Sequence, residues 1–454
     1  MGDTIAAIAT APGLGGIGVI RLSGPEALAV GRTLSGRRSL TPRHAHYARL
    51  RDGAGETLDE GLVIYFPGPH SFTGEDVVEL QGHGGPVVLS ALLERCLELG
   101  ARQAHPGEFT QRAFLNDRMD LLQAEAVADL ISARSLGAHR AALRSLSGAF
   151  STAVHALEAQ LSSLRVWVEA ALDFPDEDLD LLADPAVAER LASLESDLAA
   201  LLARSQSGRV MNEGVRAVLL GEPNVGKSSL MNCLTQHETS IVTDRPGTTR
   251  DIVREQVLID GIPLLLLDTA GLRDNADVIE AEGIRRAQAA AGEAELLLYV
   301  SDLRDPALAD LTRAALEARL GWALPPVVLH LRNKSDLAPE PAQLSPTEND
   351  DRLPTVVVSA RTGAGLEDLK SALKAALGAQ APEGSFSARS RHLALLETVK
   401  GCLVEARSTL ETFPSADLVA DQLRRAHDAL GEMTGEVTPD DLLGRIFSTF
   451  CIGK

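Results

Sequence analysis

The sequence predicts a multidomain protein: an N-terminal α+β domain, then a discontinuous helical bundle with an α/β domain inserted into it. Three observations carry this reading. Residues 1–118 are rich in Gly, Pro and short β-type runs, helical stretches flank the middle of the chain, and residues 214–376 alternate strand, loop and helix. The length of 454 residues suits about three domains of roughly 150 residues each.

In the first domain, Gly18–Leu22, Gly61–Phe66 and Asp76–Leu80 read as strands. From Asp117, which reads as an N-cap, the texture turns helical, with Met119, Leu122, Ala126 and Leu130 on one face. Leu157, Leu161, Leu164, Val168 and Leu172 continue that spacing. An acidic break, Phe174-Pro175-Asp176-Glu177-Asp178, separates them from another helix running to about Arg209. Apolar runs at 217–220, 264–267, 296–300, 327–331 and 356–358 then predict the buried strands of a mostly parallel sheet. Beyond a linker at 378–385, Leu393, Leu396, Val399 and Leu403 share a helix face, as do Val419, Leu423, Ala426 and Leu430. Helices before 214 and after 376 join most simply into one bundle, giving domains 1–118, 119–213 with 377–454, and 214–376.

Composition excludes several function classes. A net charge of −20 and 3% aromatic residues disfavour a protein that grips nucleic acid through phosphates and stacked bases, so RNA contact needs a local patch or a partner. The four cysteines, Cys96, Cys233, Cys402 and Cys451, form no CxxC pair, which argues against a zinc ribbon or a disulfide framework. No run approaches the roughly 18 apolar residues of a membrane span. The N-terminus lacks a secretion signal, Met1-Gly2 does not complete a myristoylation pattern, and the terminal FCIGK does not fit a prenylation box. The expectation is a cytoplasmic protein.

The chemistry is clearest at Gly221-Glu222-Pro223-Asn224-Val225-Gly226-Lys227-Ser228-Ser229, a GxxxxGK[ST] loop between an apolar strand and a helix. Its backbone N–H groups suit phosphates, Lys227 supplies a point charge and the Ser228 hydroxyl suits Mg²⁺. Asp268-Thr269-Ala270-Gly271 ends a strand, as expected of a DxxG switch that reaches the metal shell and the γ-phosphate. Asn333-Lys334-Ser335-Asp336 follows another, and a carboxylate at Asp336 accepts from guanine N1–H and its 2-amino group, donors that adenine lacks there. Such a bidentate pair discriminates bases by roughly 1–3 kcal/mol. Ser359-Ala360 supplies a final loop. Together these elements, in this order, predict a P-loop, Ras-like GTPase domain.

Leu272 stands where a small GTPase carries the Gln that orients water. Asn224, as a ligand of a monovalent cation, and Glu280 in the acidic stretch Asp277–Glu282 are the candidates to replace it, although the residues alone favour a solvated helix face for Glu280 and Glu282. Gly13-Leu14-Gly15-Gly16-Ile17-Gly18 formally matches GxGxxG, but a strand follows it and no acidic residue is placed for a ribose, so a dinucleotide site is rejected. His83 lacks ligand-spaced partners and reads as a loop histidine.

These motifs resemble the MnmE (TrmE) family of tRNA-modification GTPases along essentially the whole chain. The resemblance rests on GEPNVGKSS, Thr243-Asp244-Arg245-Pro246-Gly247-Thr248-Thr249-Arg250-Asp251, DTAGLR and NKSD. It rests more specifically on residues 66–85, residues 106–131 and FCIGK. It implies a homodimer whose N-terminal domain binds a tetrahydrofolate derivative, 5-formyl- or 5,10-methylene-tetrahydrofolate, as one-carbon donor. It also implies a heterotetramer with a separate FAD-containing partner, which together install an aminomethyl or carboxymethylaminomethyl group on C5 of the wobble uridine of certain tRNAs. GTP hydrolysis would depend on K⁺ held by Asn224, Thr243, Arg245 and Thr248, with Mg²⁺ on Ser228 and Thr249. Residues 243–249 would join the GTP site and Glu280 would position water. Arg21, Glu79, Arg118 and Lys454 match folate positions; Arg118 stands where relatives often carry Lys, which keeps the charge. Cys451 falls near the reacting centre, as nucleophile, proton donor or packed thiol. The alternative is a regulatory or ribosome-assembly GTPase without one-carbon chemistry, against which the segments outside the GTPase motifs weigh. A folate-dependent aminomethyltransferase acting alone is a third reading.

Overall fold

A computed structural model describes residues 2–173, 185–237, 253–267, 288–337, 351–378, 384–412, 415–436 and 440–453. The chain divides into two units: Met1–Ser132 with Ser145–Leu194 and Thr398–Lys454, and Ala133–Arg144 with Glu195–Glu397.

In the first unit, period-2 alternation builds a six-stranded sheet from β1 (Ile5–Ile8), β2 (Gly15–Ser23), β3 (His46–Arg51), β4 (Thr57–Phe66), β5 (Val77–Gly84) and β6 (Arg102–Gln103). Its order is β3-β4-β5-β2-β1-β6, antiparallel except where β1 meets β6. Ala6, Ile20, Leu22, Val63, Val78 and Leu80 form one core with residues of helices Ala27–Ser35 and Pro86–Glu98, including Val30, Leu34 and Leu92. Alternation therefore turns Arg21 and its cross-strand partners Ala7 and Glu79 to the opposite face. There Ile5 and Ala7 pack with Phe109 of helix Glu108–Leu115. The rejected glycine motif lies largely in β2, as its strand-like sequel implied.

The predicted N-cap at Asp117 is displaced. A helix already spans Glu108–Leu115, Asp117 sits in a left-handed turn at φ 53°, and the next helix runs Leu121–Ser132. Its cap is Asp120, whose Oδ1 accepts from Gln123 N at 2.8 Å while Gln123 Oε1 accepts from Asp120 N at 3.1 Å. That reciprocal capping box wins because Asp117 serves a tight turn, donating its N–H to Phe114 O. Leu157, Leu161, Leu164 and Val168 are buried on helix Ala149–Asp173, and Val419, Leu423, Ala426 and Leu430 on helix Ala416–Thr434; the two helices pack together. The side chain of Leu172 and residues 174–178 lie outside the described residues. Leu396, Val399 and Leu403 are buried on helix Ser390–Thr412, and Leu393 is half-buried.

The second unit holds a sheet of β7 (Val215–Leu220), β8 (Val253–Ile259), β9 (Ile262–Leu267), β10 (Leu296–Asp302), β11 (Val327–Asn333) and β12 (Thr355–Val357). Its order is β12-β11-β10-β7-β9-β8, parallel except for the β8–β9 hairpin. Four of the predicted apolar runs fall in strands and the last is offset by one residue; β8 is an addition to them. Leu219, Leu264, Leu298 and Leu329 fill the core on one face, Val218, Leu220, Leu297 and Tyr299 that on the other. No helix among the described residues is long and apolar enough to cross a membrane.

One core residue makes this sheet acid-sensitive. His330 of β11 is fully buried, with Nε2 2.7 Å from Ser301 Oγ, and burial, reinforced by Arg332, pushes its pKa down to about 4. The folded state thus holds it neutral while the unfolded chain protonates near 6.5. Unfolded chains bind the extra proton, so its stabilising share is complete above about pH 6.5 and is lost as pH falls toward 4. Between pH 7 and pH 5 this amounts to about 2 kcal/mol. Urea unfolding at both pH values, for the protein and for His330→Gln, checks it: the variant should lose that part of the pH dependence.

Candidate functional site

In the second unit the chain leaves β7 through residues 221–226 and enters helix Lys227–His237 at the carboxyl end of the parallel strands, where such sheets bind ligands. Backbone demands explain the glycines. Gly221 has φ 151°, and a Cβ there would lie 2.1 Å from the Val300 carbonyl oxygen. Gly226 has φ 97°, and a Cβ would lie 2.3 Å from Asn333 Nδ2. Asn224 adopts φ 62°, which amide side chains tolerate better than most. Lys227 curls over the loop, its ammonium donating to Gly221 O and Glu222 O, each at 2.7 Å. Burial lowers its pKa, and the Glu222 carboxylate opposes that shift. Glu222 in turn pairs with Arg319.

Asn333 connects three loops. It ends β11 almost fully buried, donates from Nδ2 to Val225 O at 2.9 Å, and accepts at Oδ1 from Ala360 N at 2.9 Å. The phosphate loop, the Asn333–Asp336 turn and the Ser359–Ala360 loop are thereby held in one arrangement. Ser359, fully buried, donates to Asp336 Oδ1 at 2.7 Å, and Arg361 stands 4.0 Å from Asp336 Oδ2. That steadies a carboxylate from behind, three residues beyond the Asn333 that ties down the phosphate loop. Ser228 and Ser229 occupy the first turn of the helix that follows the loop.

Sequence reasoning missed Asp302, the last residue of β10. Its Oδ2 accepts from Lys334 Nζ at 2.9 Å, which anchors Lys334 in its left-handed turn at φ 68°. The Arg304 guanidinium, and after it Lys334, hold the Asp302 carboxyl well below the usual carboxylate range. The available signal was an acidic residue closing an apolar strand at the ligand end of the sheet. Thr243, Asp244, Arg245, Pro246, Gly247, Thr248 and Thr249, then Asp268, Thr269, Ala270 and Gly271, and also Glu280 and Lys454 lie outside the described residues.

The first unit brings together another set. Arg21 donates to Glu79 Oε1 from Nε at 3.1 Å and from its terminal nitrogen at 2.9 Å. The guanidinium lies 5.6 Å from the Phe72 ring centre and 5.9 Å from that of Phe109. Beside it Ser23 Oγ meets Thr73 Oγ1 at 2.6 Å and donates to Glu75 Oε2 at 2.7 Å. Arg118 is exposed and passes close to Gly74, where an added Cβ would be 3.4 Å from Arg118 Cγ. The terminal segment docks on the same unit: Phe447 and Phe450 pack with Leu121, and Gly107 N donates to Cys451 O at 3.3 Å. Gly453 is buried at φ 94°, where a Cβ would lie 2.4 Å from Ile8 O at the end of β1. The Cys451 side chain is exposed. Arg21 and Glu79 are thus in contact, and the tail reaches β1 one residue from Ala7, the partner of Arg21.

A family model described as the MnmE helical domain matches residues 121–451, and one described as the N-terminus of GTP-binding protein TrmE matches residues 4–118. A relative from Pseudomonas paraeruginosa (strain DSM 24068 / PA7), named tRNA modification GTPase MnmE, is 53% identical over 453 residues, covering 100% of this chain and 99% of its own. One of the same name from Stutzerimonas stutzeri (strain A1501) is 51% identical with the same coverage. Among solved structures, the G domain of the T. maritima FeoB iron transporter aligns with 35% of this chain and 96% of its own at 26% identity. Its TM-score of 0.22 is too low to bear on the assignment. Identity sustained over both matched segments and the full length decides the matter: this chain belongs to the MnmE (TrmE) family of tRNA-modification GTPases.

Proposed function

We propose that this GTPase hydrolyses GTP in a potassium-dependent manner and, with a separate FAD-containing partner, modifies C5 of the wobble uridine of certain tRNAs using a folate one-carbon donor. The observation that carries the proposal is the 53% identity, end to end, with a relative named tRNA modification GTPase MnmE. In this reading residues 1–118 bind the folate, 214–376 bind GTP, and 119–213 with 377–454 form the helical domain of a cytoplasmic homodimer.

The residues fit these ligands. The phosphate loop presents backbone N–H groups at a helix start, which suits phosphate, and Lys227 keeps its ammonium over that loop. Ser228 and Thr249 are assigned to Mg²⁺, and Asn224, Thr243, Arg245 and Thr248 to K⁺. Held by these residues, the cations would neutralise charge developing on the transferring phosphoryl group. Asp336, oriented by Ser359, selects guanine. Glu280 positions water in the role that Leu272 cannot fill. On the other unit, Glu79 Oε2 is engaged only by Gln81 at 3.4 Å among the described residues, which leaves it able to accept from the amidine-like edge of a pterin. Arg21 holds that carboxylate in place, and Phe72 offers an apolar wall beside it. Arg118 and Lys454 supply positive charge for the folate tail, and Cys451 stands beside the reacting centre.

Mass spectrometry of wobble uridines from cells lacking the protein tests the proposal. Loss of the C5 substituent is expected, and modification at the wild-type level refutes it. GTP turnover should be roughly 10²-fold faster in KCl than in NaCl, the effect of removing one charge-stabilising group. Equal rates refute the potassium assignment.

A further inference from the structure

Two helices of the first unit carry a cluster that neither the nucleotide nor the folate reading uses. His155 and Glu158 are three residues apart on helix Ala149–Asp173 and so lie on one face, with His155 Nδ1 2.6 Å from Glu158 Oε2. Helix Ala416–Thr434 ends opposite at Gly435, in the left-handed conformation at φ 93°. Gly435 N and Glu436 N both donate to Gly431 O, at 3.1 and 3.0 Å. Only glycine fits that turn, since a Cβ would lie 2.8 Å from the Phe114 ring. The turn therefore sets the direction in which the chain delivers Glu436. One donor atom each from His155, Glu158 and Glu436 lies within 4.8 Å of the others.

A second observation points to a ligand. Glu158 is nine-tenths buried, and its Oε1 is enclosed with no hydrogen-bond partner among the described residues. An enclosed carboxylate oxygen without a donor is costly. A cation among the three side chains would relieve that cost. We propose that His155, Glu158 and Glu436 form a divalent-cation site that clamps helix Ala149–Asp173 to the end of helix Ala416–Thr434. The donor set selects the metal class. An imidazole with two carboxylates suits Zn²⁺ and similar borderline ions, whereas Mg²⁺ and Ca²⁺ prefer oxygen-only shells. Three protein ligands leave a fourth position for water, and the exposed His155 and Glu436 give the ion a way in and out.

Calorimetric titration of the chelator-stripped full chain with ZnCl₂, in excess Mg²⁺ and GDP to saturate the nucleotide site, tests the proposal. One Zn²⁺ per chain is expected, with affinity falling at least about tenfold in each of His155→Gln, Glu158→Gln and Glu436→Gln. Co²⁺ in place of Zn²⁺ should give visible absorption bands that the three variants lose. Circular dichroism and GDP affinity verify that the variants are folded; Glu436→Gln, at an exposed position, keeps the test decisive if Glu158→Gln misfolds. Absence of Zn²⁺ binding, or binding equal in wild type and Glu436→Gln, overturns the site.

Discussion

Asn333→Ala should lower GTP affinity by about 10²-fold or more and destabilise the G-domain sheet by about 2–4 kcal/mol. The side chain is 2% exposed and makes two interior hydrogen bonds, to Val225 O and from Ala360 N. Truncation leaves both backbone groups without that partner, at about 1–3 kcal/mol for each group left unsatisfied, and opens a small cavity besides. The affinity loss has a separate cause. Val225 belongs to the phosphate loop and Ala360 to the base-side loop, so the free protein loses the tie that holds two halves of its site in register, and binding must restore that order. Asn333→Asp sharpens the test. Its carboxylate still accepts from Ala360 N but has no donor for Val225 O and sets two acceptors against each other. It should therefore bind GTP no better than the alanine variant. Nucleotide titration and urea unfolding measure the two effects; wild-type affinity in Asn333→Ala would mean the loops hold their positions without it.

The nucleotide site was legible because its contacts are built from short contiguous motifs. The loop 221–228 needs its glycines for backbone reasons that a local pattern encodes, and NKSD follows directly from its strand. What the pattern does not encode is the third dimension. The Asn333 tie spans 108 residues in one direction and 27 in the other, and the Asp302–Lys334 pair spans 32. No spacing rule relates residues so separated. Strand β8, Val-Arg-Glu-Gln-Val-Leu-Ile, is hidden in the sequence because Arg254, Glu255 and Gln256 interrupt its apolar residues, as an edge strand permits. The helix start at Asp117 misleads for a different reason. Two acidic residues three apart both satisfy the capping preference, and only the Gln123 reply to Asp120 distinguishes them. On the first sheet, Arg21 and Glu79 face away from helices Ala27–Ser35 and Pro86–Glu98 and toward Phe109, and no local pattern in the sequence reveals that they pair across β2 and β5.

Deletion of residues 451–454 should reduce tRNA modification to background while leaving GTP binding and hydrolysis intact. The expectation turns on what those four residues hold and what they do not. Phe447 and Phe450, which pack with Leu121 and Leu443, remain after the deletion, so the local core stays filled. The segment removed is a backbone lying close on the end of β1 and on the turn at Gly107, with the Cys451 side chain exposed. Its loss should therefore cost little global stability, whereas β1 runs beside Arg21 and thus beside the proposed folate site. Gly453→Ala gives the same direction without shortening the chain. At φ 94° an added Cβ meets Ile8 O at 2.4 Å, so the residues around it must lift from the strand. The left-handed conformation alone costs roughly 1–2 kcal/mol for a residue with a Cβ. Cys451→Ser separates thiol chemistry from placement: modification lost in this variant assigns the sulfur a chemical part, and modification retained assigns the effect of the deletion to Lys454 and the docked backbone. Wobble-uridine analysis in cells carrying each variant, beside nucleotide titration of the purified proteins, reads all of these. Normal modification by the truncated protein would remove the tail from the active site, and loss of GTP binding would make it a structural element instead.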